Sequence, residues 1–361
     1  MSEQYLALVE ESNRGADPGS GYLFYPVTGN LQPKFNVTDE SRKEFRGQDT
    51  ALGDASVRRL SSNWEHPVSG YVYSGAELDL MLKHVFGFKG ARTAVDTTAF
   101  KGLFRPLRAA YGAGNPLGNS AIGIIPNTDE GGTTMSQYHG GGRPKSLTLN
   151  GEPGGEITME LALGGAGPWV GDADQAAIPG VAFPSALPFF FAEARFYIGA
   201  GIARTGVAPD FTDIAPGAML PFYPDNFNLT ITPGIEDKEV GNGVRGPSKT
   251  ERTAQFVAEL GFTLDYEDPD SGFSSAAEYK KTYTGPNTNS LLIVLDNGQL
   301  AGSTNQNYQM IIDLPLMHAV PDPMERNNEG KTPKNTYKLR SLLDSSVGYP
   351  VAIMTINKNA A

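Results

Sequence analysis

The segment Phe24-Tyr25-Pro26-Val27-Thr28-Gly29-Asn30-Leu31 returns 198 residues later as Phe222-Tyr223-Pro224-Asp225-Asn226-Phe227-Asn228-Leu229. An echo at fixed separation restricts a chain to folds that use one structural unit twice. At the same separation Asp39 falls on Asp237 and Gly87 on Gly285. With one-residue slips, Arg46-Gly47 maps to Arg245-Gly246 and Ser74-Gly75 to Ser271-Gly272. The tripeptide alone is weak, and the collinear series carries the inference. A chain of 361 residues has room for two such units with a core in each. The expected division is 1-205 and 206-361, with a glycine-rich loop at about 112-145 in the first unit.

Within each unit the two-residue period dominates. Phe256, Ala258, Leu260, Phe262, Leu264 and Tyr266 alternate with mostly polar residues, which puts one face of a long strand on a core and the other toward water. Ile157, Met159, Leu161 and Leu163 do the same, as do Tyr308, Met310, Ile312 and Leu314. Leu291 to Leu295 reads as a strand buried on both faces and ended by the turn signal Asp296-Asn297-Gly298. The 43 Gly and 26 Pro point to many turns and favour a mainly β architecture. Each unit is expected to be a β-sandwich or barrel-like module with one short α-helix against it.

Two helices are expected. Ser74 opens a capping box with Glu77, after which Leu78, Met81, Leu82 and Val85 fall on one face before Gly87. The second, from Ser271-Gly272 through Ala276, Tyr279 and Tyr283 to Gly285, has a weaker apolar stripe. His84 falls on the polar side of the first helix and reads as solvated.

Two stretches do not read as core. Residues 112-145 carry Gly112-Ala113-Gly114, Gly131-Gly132 and Gly140-Gly141-Gly142, whose backbone entropy favours an arm that orders on assembly. Residues 164-190, with Trp169 and Pro188-Phe189-Phe190-Phe191, are irregular but more apolar, suited to covering a core edge or a neighbouring subunit.

Catalytic and binding motifs are absent or unsupported. Gly241-Asn242-Gly243-Val244-Arg245-Gly246 matches a dinucleotide pattern, but Pro247 follows and no strand-to-helix context surrounds it. His66, His84, His139 and His318 are scattered without ligand spacing, and there is no cysteine for a disulfide or thiolate site. The acidic groups Asp172-Ala173-Asp174 and Asp265-Tyr266-Glu267-Asp268 read as solvated faces rather than cation sites. No catalytic, cofactor-binding or metal-ligating residue is therefore expected, and the protein reads as non-enzymatic. Met1-Ser2-Glu3-Gln4-Tyr5 lacks the features of a secretory signal and no apolar run reaches the roughly 20 residues of a membrane span, so folding in a cytoplasm is expected. A net charge of −11 opposes a nucleic-acid grip and suits a surface past which DNA slides.

Several segments carry a family resemblance. Tyr5-Leu6-Ala7-Leu8-Val9-Glu10-Glu11-Ser12, then Gly15 and Leu23-Phe24-Tyr25-Pro26, resemble the start of the major tail tube proteins of long-tailed (siphovirus-type) bacteriophages. A strand at Gly70 and the helix Ser74-Gly75-Ala76-Glu77-Leu78-Asp79-Leu80-Met81-Leu82-Lys83-His84-Val85-Phe86-Gly87 are similar to that family's helix ending in Phe-Gly. Strands at 156-163 and Asn228-Leu229-Thr230-Ile231, and the closing Gly348-Tyr349-Pro350-Val351-Ala352-Ile353, agree in order.

The resemblance implies a virion protein, assembled in the host cytoplasm, that stacks as rings into a tail tube through which DNA passes without specific binding. It implies self-association, contacts with tape-measure, tail-tip and terminator proteins, and no membrane insertion. Because tube rings are commonly six-fold, a chain with two tube units would close a pseudo-six-fold ring with three copies. The alternatives are a virion decoration or capsid-type β protein and a carbohydrate-active β-sandwich enzyme, the latter disfavoured by the lack of a paired-carboxylate motif.

Overall fold

The computed structural model describes residues 5-29, 33-41, 57-107, 120-130, 133-166, 181-238, 249-269, 271-303, 305-320 and 333-359. The fold is mainly β with two short α-helices, and the ladders between its strands are antiparallel.

In the first part of the chain, β1 (Tyr5–Glu11), β2 (Leu23–Pro26), β3 (Lys34–Ser41) and β4 (Val57–Tyr71) precede α1 (Ala76–Phe86). After it come β5 (Thr93–Ala94), β6 (Phe100–Phe104), β7 (Ala121–Glu130), β8 (Thr133–Ser136), β9 (His139–Gly151) and β10 (Thr158–Ala166). The chain continues through β11 (Arg195–Ile198), β12 (Ala203–Val207), β13 (Asp210–Ala215), β14 (Leu220–Phe222), β15 (Asn226–Thr232), β16 (Ile235–Lys238), β17 (Lys249–Arg252) and β18 (Val257–Asp265). Following α2 (Ser275–Thr284), it ends with β19 (Thr288–Leu300), β20 (Asn307–Val320), β21 (Lys334–Ser341) and β22 (Ala352–Asn357).

The hydrogen-bonded pairings form two ladders of the same order. In the first, neighbours run β2, β1, β7, β9, β10, β4, β3. In the second they run β14, β11, β19, β20, β21, β18, β15. Chain order matches as well: a strand and its edge partner, a long hairpin, a helix, then three further strands. The second ladder already begins with β11, and β12 spans positions 205 and 206, so a division at that point does not follow the strand pairing. The ladders also share one apolar core, in which Leu147, Leu149 and Leu161 pack with Leu229, Ile231 and Leu260.

The Phe-Tyr-Pro echo falls at equivalent places but out of phase: the first copy lies within β2, whereas β14 ends at Phe222 and Tyr223 follows it. Tyr25 is buried in the main core while Tyr223 is 85% exposed, and Phe222 rather than Tyr223 faces that core. Because side chains alternate across a strand, a one-residue offset sends identical letters to opposite faces.

The glycine-rich stretch needs correction. Its described residues, 120-130 and 133-145, are the strands β7, β8 and the start of β9, not a loop. The glycines at 140 and 142 permit close approach. A Cβ on Gly140 would lie 2.8 Å from Glu11 Oε1, and one on Gly142 would lie 2.5 Å from the Ile122 carbonyl oxygen. Gly141 has φ of 75°, where a side chain is strained. Residues 112-119 lie outside the described residues.

Leu291 to Leu295 are buried on both faces as expected, but Asp296-Asn297-Gly298 does not end the strand. β19 continues to Leu300 through an irregularity in its pairing with β20, where the Asn307 and Gln309 side-chain amides donate to Asp296. In 181-190, Phe189 enters the core and exchanges backbone bonds with Val72 and Ile157, so this part covers a core edge. Trp169 lies outside the described residues.

Candidate assembly surfaces

The ladders meet at one joint. The edge strand of the second, β15, pairs with β9 of the first over Phe227↔Gly151, Leu229↔Leu149 and Ile231↔Leu147. Alternation turns these three β15 residues inward and leaves Asn228 and Thr230 outward. On the outward face the Thr148 and Thr230 hydroxyls lie 3.3 Å apart and the Asn228 amide donates to the Asn150 side-chain oxygen. Gly151 must be small, since a Cβ there would stand 2.4 Å from the Phe227 ring.

Around this strand pairing the joint is reinforced twice. Phe86, the last residue of α1, stacks on Phe256 at 5.4 Å. Asp237 of β16 receives Arg14, from the turn after β1, at 2.9 Å and Lys145 of β9 at 3.2 Å. Backbone pairing, apolar contact and opposite charge therefore act together along one edge.

Buried polar groups fasten other elements. Asp79 of α1 takes Arg92 at 2.5 Å, the Thr355 hydroxyl at 2.8 Å and the Asn359 amide at 2.9 Å, which ties α1 to the C-terminal strand. Asp313 of β20 takes the two arms of Arg204 at 2.7 Å and the Tyr349 hydroxyl at 2.7 Å, which holds the β12–β13 hairpin down. Glu11 accepts from Tyr138 and from the amides of Gly15 and Gly141, while burial pushes its carboxyl above the ordinary range.

The capping box does not form. The Ser74 hydroxyl donates to the Ile356 carbonyl at 3.1 Å, Gly75 occupies the cap position, and no side chain caps the helix. Glu77 is instead buried beside a cavity of about 250 Å³ shared with Ser74, Ala186, Tyr308 and Lys358. Burial pushes its carboxyl up to about 7.

His84 is not solvated. It is fully buried, with Nε2 3.4 Å from Glu10 Oε1, and burial lowers its basicity. The helix packs on β9, β2 and β6, and Glu10 of β1 reaches the face that looks polar in the sequence. Glu10, bonded by His84, by Lys83 at 2.6 Å and by Ser120 at 2.7 Å, is held well below the usual carboxylate range.

His66 and His139 are buried as well, His139 beside the Trp64 and Phe35 rings. The Asp265 to Asp268 group frames the start of α2: Ser275 donates to the Asp265 carbonyl at 2.7 Å and Ser274 to Asp268 at 2.6 Å. Ser274 also caps α2 by accepting from the Ala277 amide, so that helix starts three residues after Ser271 and Gly272. The Gly241 to Gly246 pattern and Asp172-Ala173-Asp174 lie outside the described residues. Among the described residues, no three His, Asp or Glu side chains gather as a metal cage. Among the described residues no helix is long and apolar enough to cross a membrane.

The joint itself was not legible in the sequence, because nothing in β15 distinguishes an edge that stays open from one that is covered. No family model matches the chain, and no curated protein sequence matches it.

Proposed function

We propose that the chain is a structural subunit of a hollow tube, a major tail tube protein of a long-tailed phage. The observation that carries this reading is the repeated ladder, with the edge strand β15 of the second joined to β9 of the first. A joint between two like units that leaves further unit edges at both ends is a heterologous contact, which propagates into a ring or a filament. Three copies, each supplying two ladders, would close a ring of six units.

In this reading the work is done by surfaces and no residue is catalytic. The chain's partners are further copies of itself within and between rings, a tape-measure protein along the bore, and tip and terminator proteins at the ends. The net charge of −11 gives passing DNA no trap. Loss of most surface binding through like-charge repulsion is the property a conduit needs.

Negative-stain microscopy of the purified full chain, with rotational averaging of end-on views, tests the reading. Hollow particles with three-fold symmetry and six density lobes are the expected result. Solid particles, or a monodisperse monomer at all protein and salt concentrations, would sink it.

A further inference from the structure

Among the described residues the buried carboxylates are Glu11, Glu77, Asp79, Glu278 and Asp313. All but one take a donor from another side chain: Glu11 from Tyr138, Asp79 from Arg92, Glu278 from Lys281 and Asp313 from Arg204. Glu77 is the exception. It is 7% exposed, its Oε2 has no hydrogen-bond partner, and it lines the cavity of about 250 Å³ at the start of α1. Gly75 lines the same cavity, and a Cβ on it would collide with that oxygen, so the bare backbone makes room for the carboxyl at the cavity wall.

The opposite wall already attracts an ammonium ion. Lys358, in the stretch that follows β22, holds its Nζ 5.9 Å from the centre of the Tyr308 ring, and both residues line the cavity. Lys358 is exposed, and among the described residues no carboxylate pairs with it. The other titratable groups that act on or face Glu77 are Asp79 on its own helix, already paired with Arg92, and Tyr25 from β2. Pro184, Ser185 and Ala186, on the remaining side, carry no charge. A metal ion needs several oxygen ligands, and among the described residues no three His, Asp or Glu side chains gather. An ammonium group needs only the carboxylate and the aromatic face.

We propose that this cavity binds a primary ammonium group, which donates to Glu77 Oε2 and rests its charge on the Tyr308 ring. Two sources have that chemistry: a free alkylamine, and the side chain of Lys358 swung inward from the rim. Either one supplies the counter-ion that the buried carboxylate lacks. Glu77 ionises at about 7, so occupancy rises as pH passes that value and is lost as the carboxyl takes its proton.

Thermal unfolding of the full chain in about 0.1 M ethylammonium chloride tests the site, with equal tetramethylammonium chloride as the control that has the charge but no N–H. At about pH 8.5 ethylammonium should raise the midpoint of Lys358→Met by about 1–2 °C more than the control does, and at about pH 5.5 the difference should vanish. That result assigns the site to free amines. If Lys358 fills the site, Lys358→Met should lower the midpoint at the higher pH and not at the lower. Glu77→Gln, which keeps the shape of the protonated carboxyl, should abolish either effect. The site is overturned if the two salts act equally on Lys358→Met and that substitution costs no more at the higher pH, or if either effect survives Glu77→Gln.

Discussion

α1 and α2 occupy the same station in the two ladders and have opposite surroundings. Nine of the eleven residues of α1 are buried, including Leu78, Met81, Leu82, Val85 and Phe86, and its Asp79 is bonded to the far end of the chain. In α2 only Ser275, Ala276 and Glu278 are buried, and Lys281, which pairs with Glu278, is mostly exposed. The first helix is a keystone between two ladders, whereas the second has one ladder to lean on. What differs is the neighbour: the Phe86 ring of α1 stacks on Phe256, just before β18 of the second ladder, whereas the Tyr279 ring of α2 meets Tyr266 and Tyr283 of its own half.

The strongest way to break this contrast is to unpair the buried charge of α1. Arg92→Met leaves Asp79 buried without its guanidinium and should cost about 3–5 kcal/mol in urea unfolding. Lys281→Met in α2 should cost less than about 1 kcal/mol, because that ion pair is solvated at the lysine. Equal effects would mean that α1 is not the keystone.

Packing should show the same asymmetry. Met81→Ala opens a cavity in a fully buried site and should cost about 2–5 kcal/mol, seen as a lower thermal midpoint. Tyr283→Ser in α2 should change the stability of the isolated chain by no more than about 0.5 kcal/mol. If self-association falls in the same variant, the exposed tyrosine is an assembly contact rather than an idle surface residue.

Acidity sharpens the comparison at the start of α1. Burial raises the Glu77 carboxyl from 4.5 to about 7, so the native state holds a proton that the unfolded chain releases first. The stabilisation is complete below about pH 4.5 and is lost as pH rises toward about 7, with an amplitude near 3 kcal/mol at most. Glu77→Gln should flatten that part of the stability profile; an unchanged slope would place the proton elsewhere. Glu10 acts in the opposite sense, since its lowered pKa gives stability above 4.5 that is lost on acidification.

Much of the fold could be read from local pattern, and the failures share one cause. The strand at 257-265 alternates buried and open as its letters do, and both helices form before Gly87 and Gly285 as expected, although α2 starts at Ser275 rather than at Ser271-Gly272. Ser74 looked like a cap because its short-range partner, Glu77, was in view; its actual acceptor is the carbonyl of Ile356. His84 looked solvated because Glu10 and the strand that carries it come from a distant part of the chain. The glycines at 140-142 looked like slack, yet they make room for the Ile122 carbonyl and the Glu11 carboxylate. In each case the deciding partner is remote in sequence.

Alone, the order of letters determined that this chain is mainly β, that its strands have an inward and an outward face, and that a helix sits in each half. Those features follow from periodicity and backbone preference, which act over a few residues. Only the tertiary structure decided that the halves share one core, that β15 covers β9, and that α1 is enclosed while α2 is bare. Strand edges carry the same amide and carbonyl groups whatever their side chains, so which edges meet is settled by the folded arrangement and not by the residues that line them.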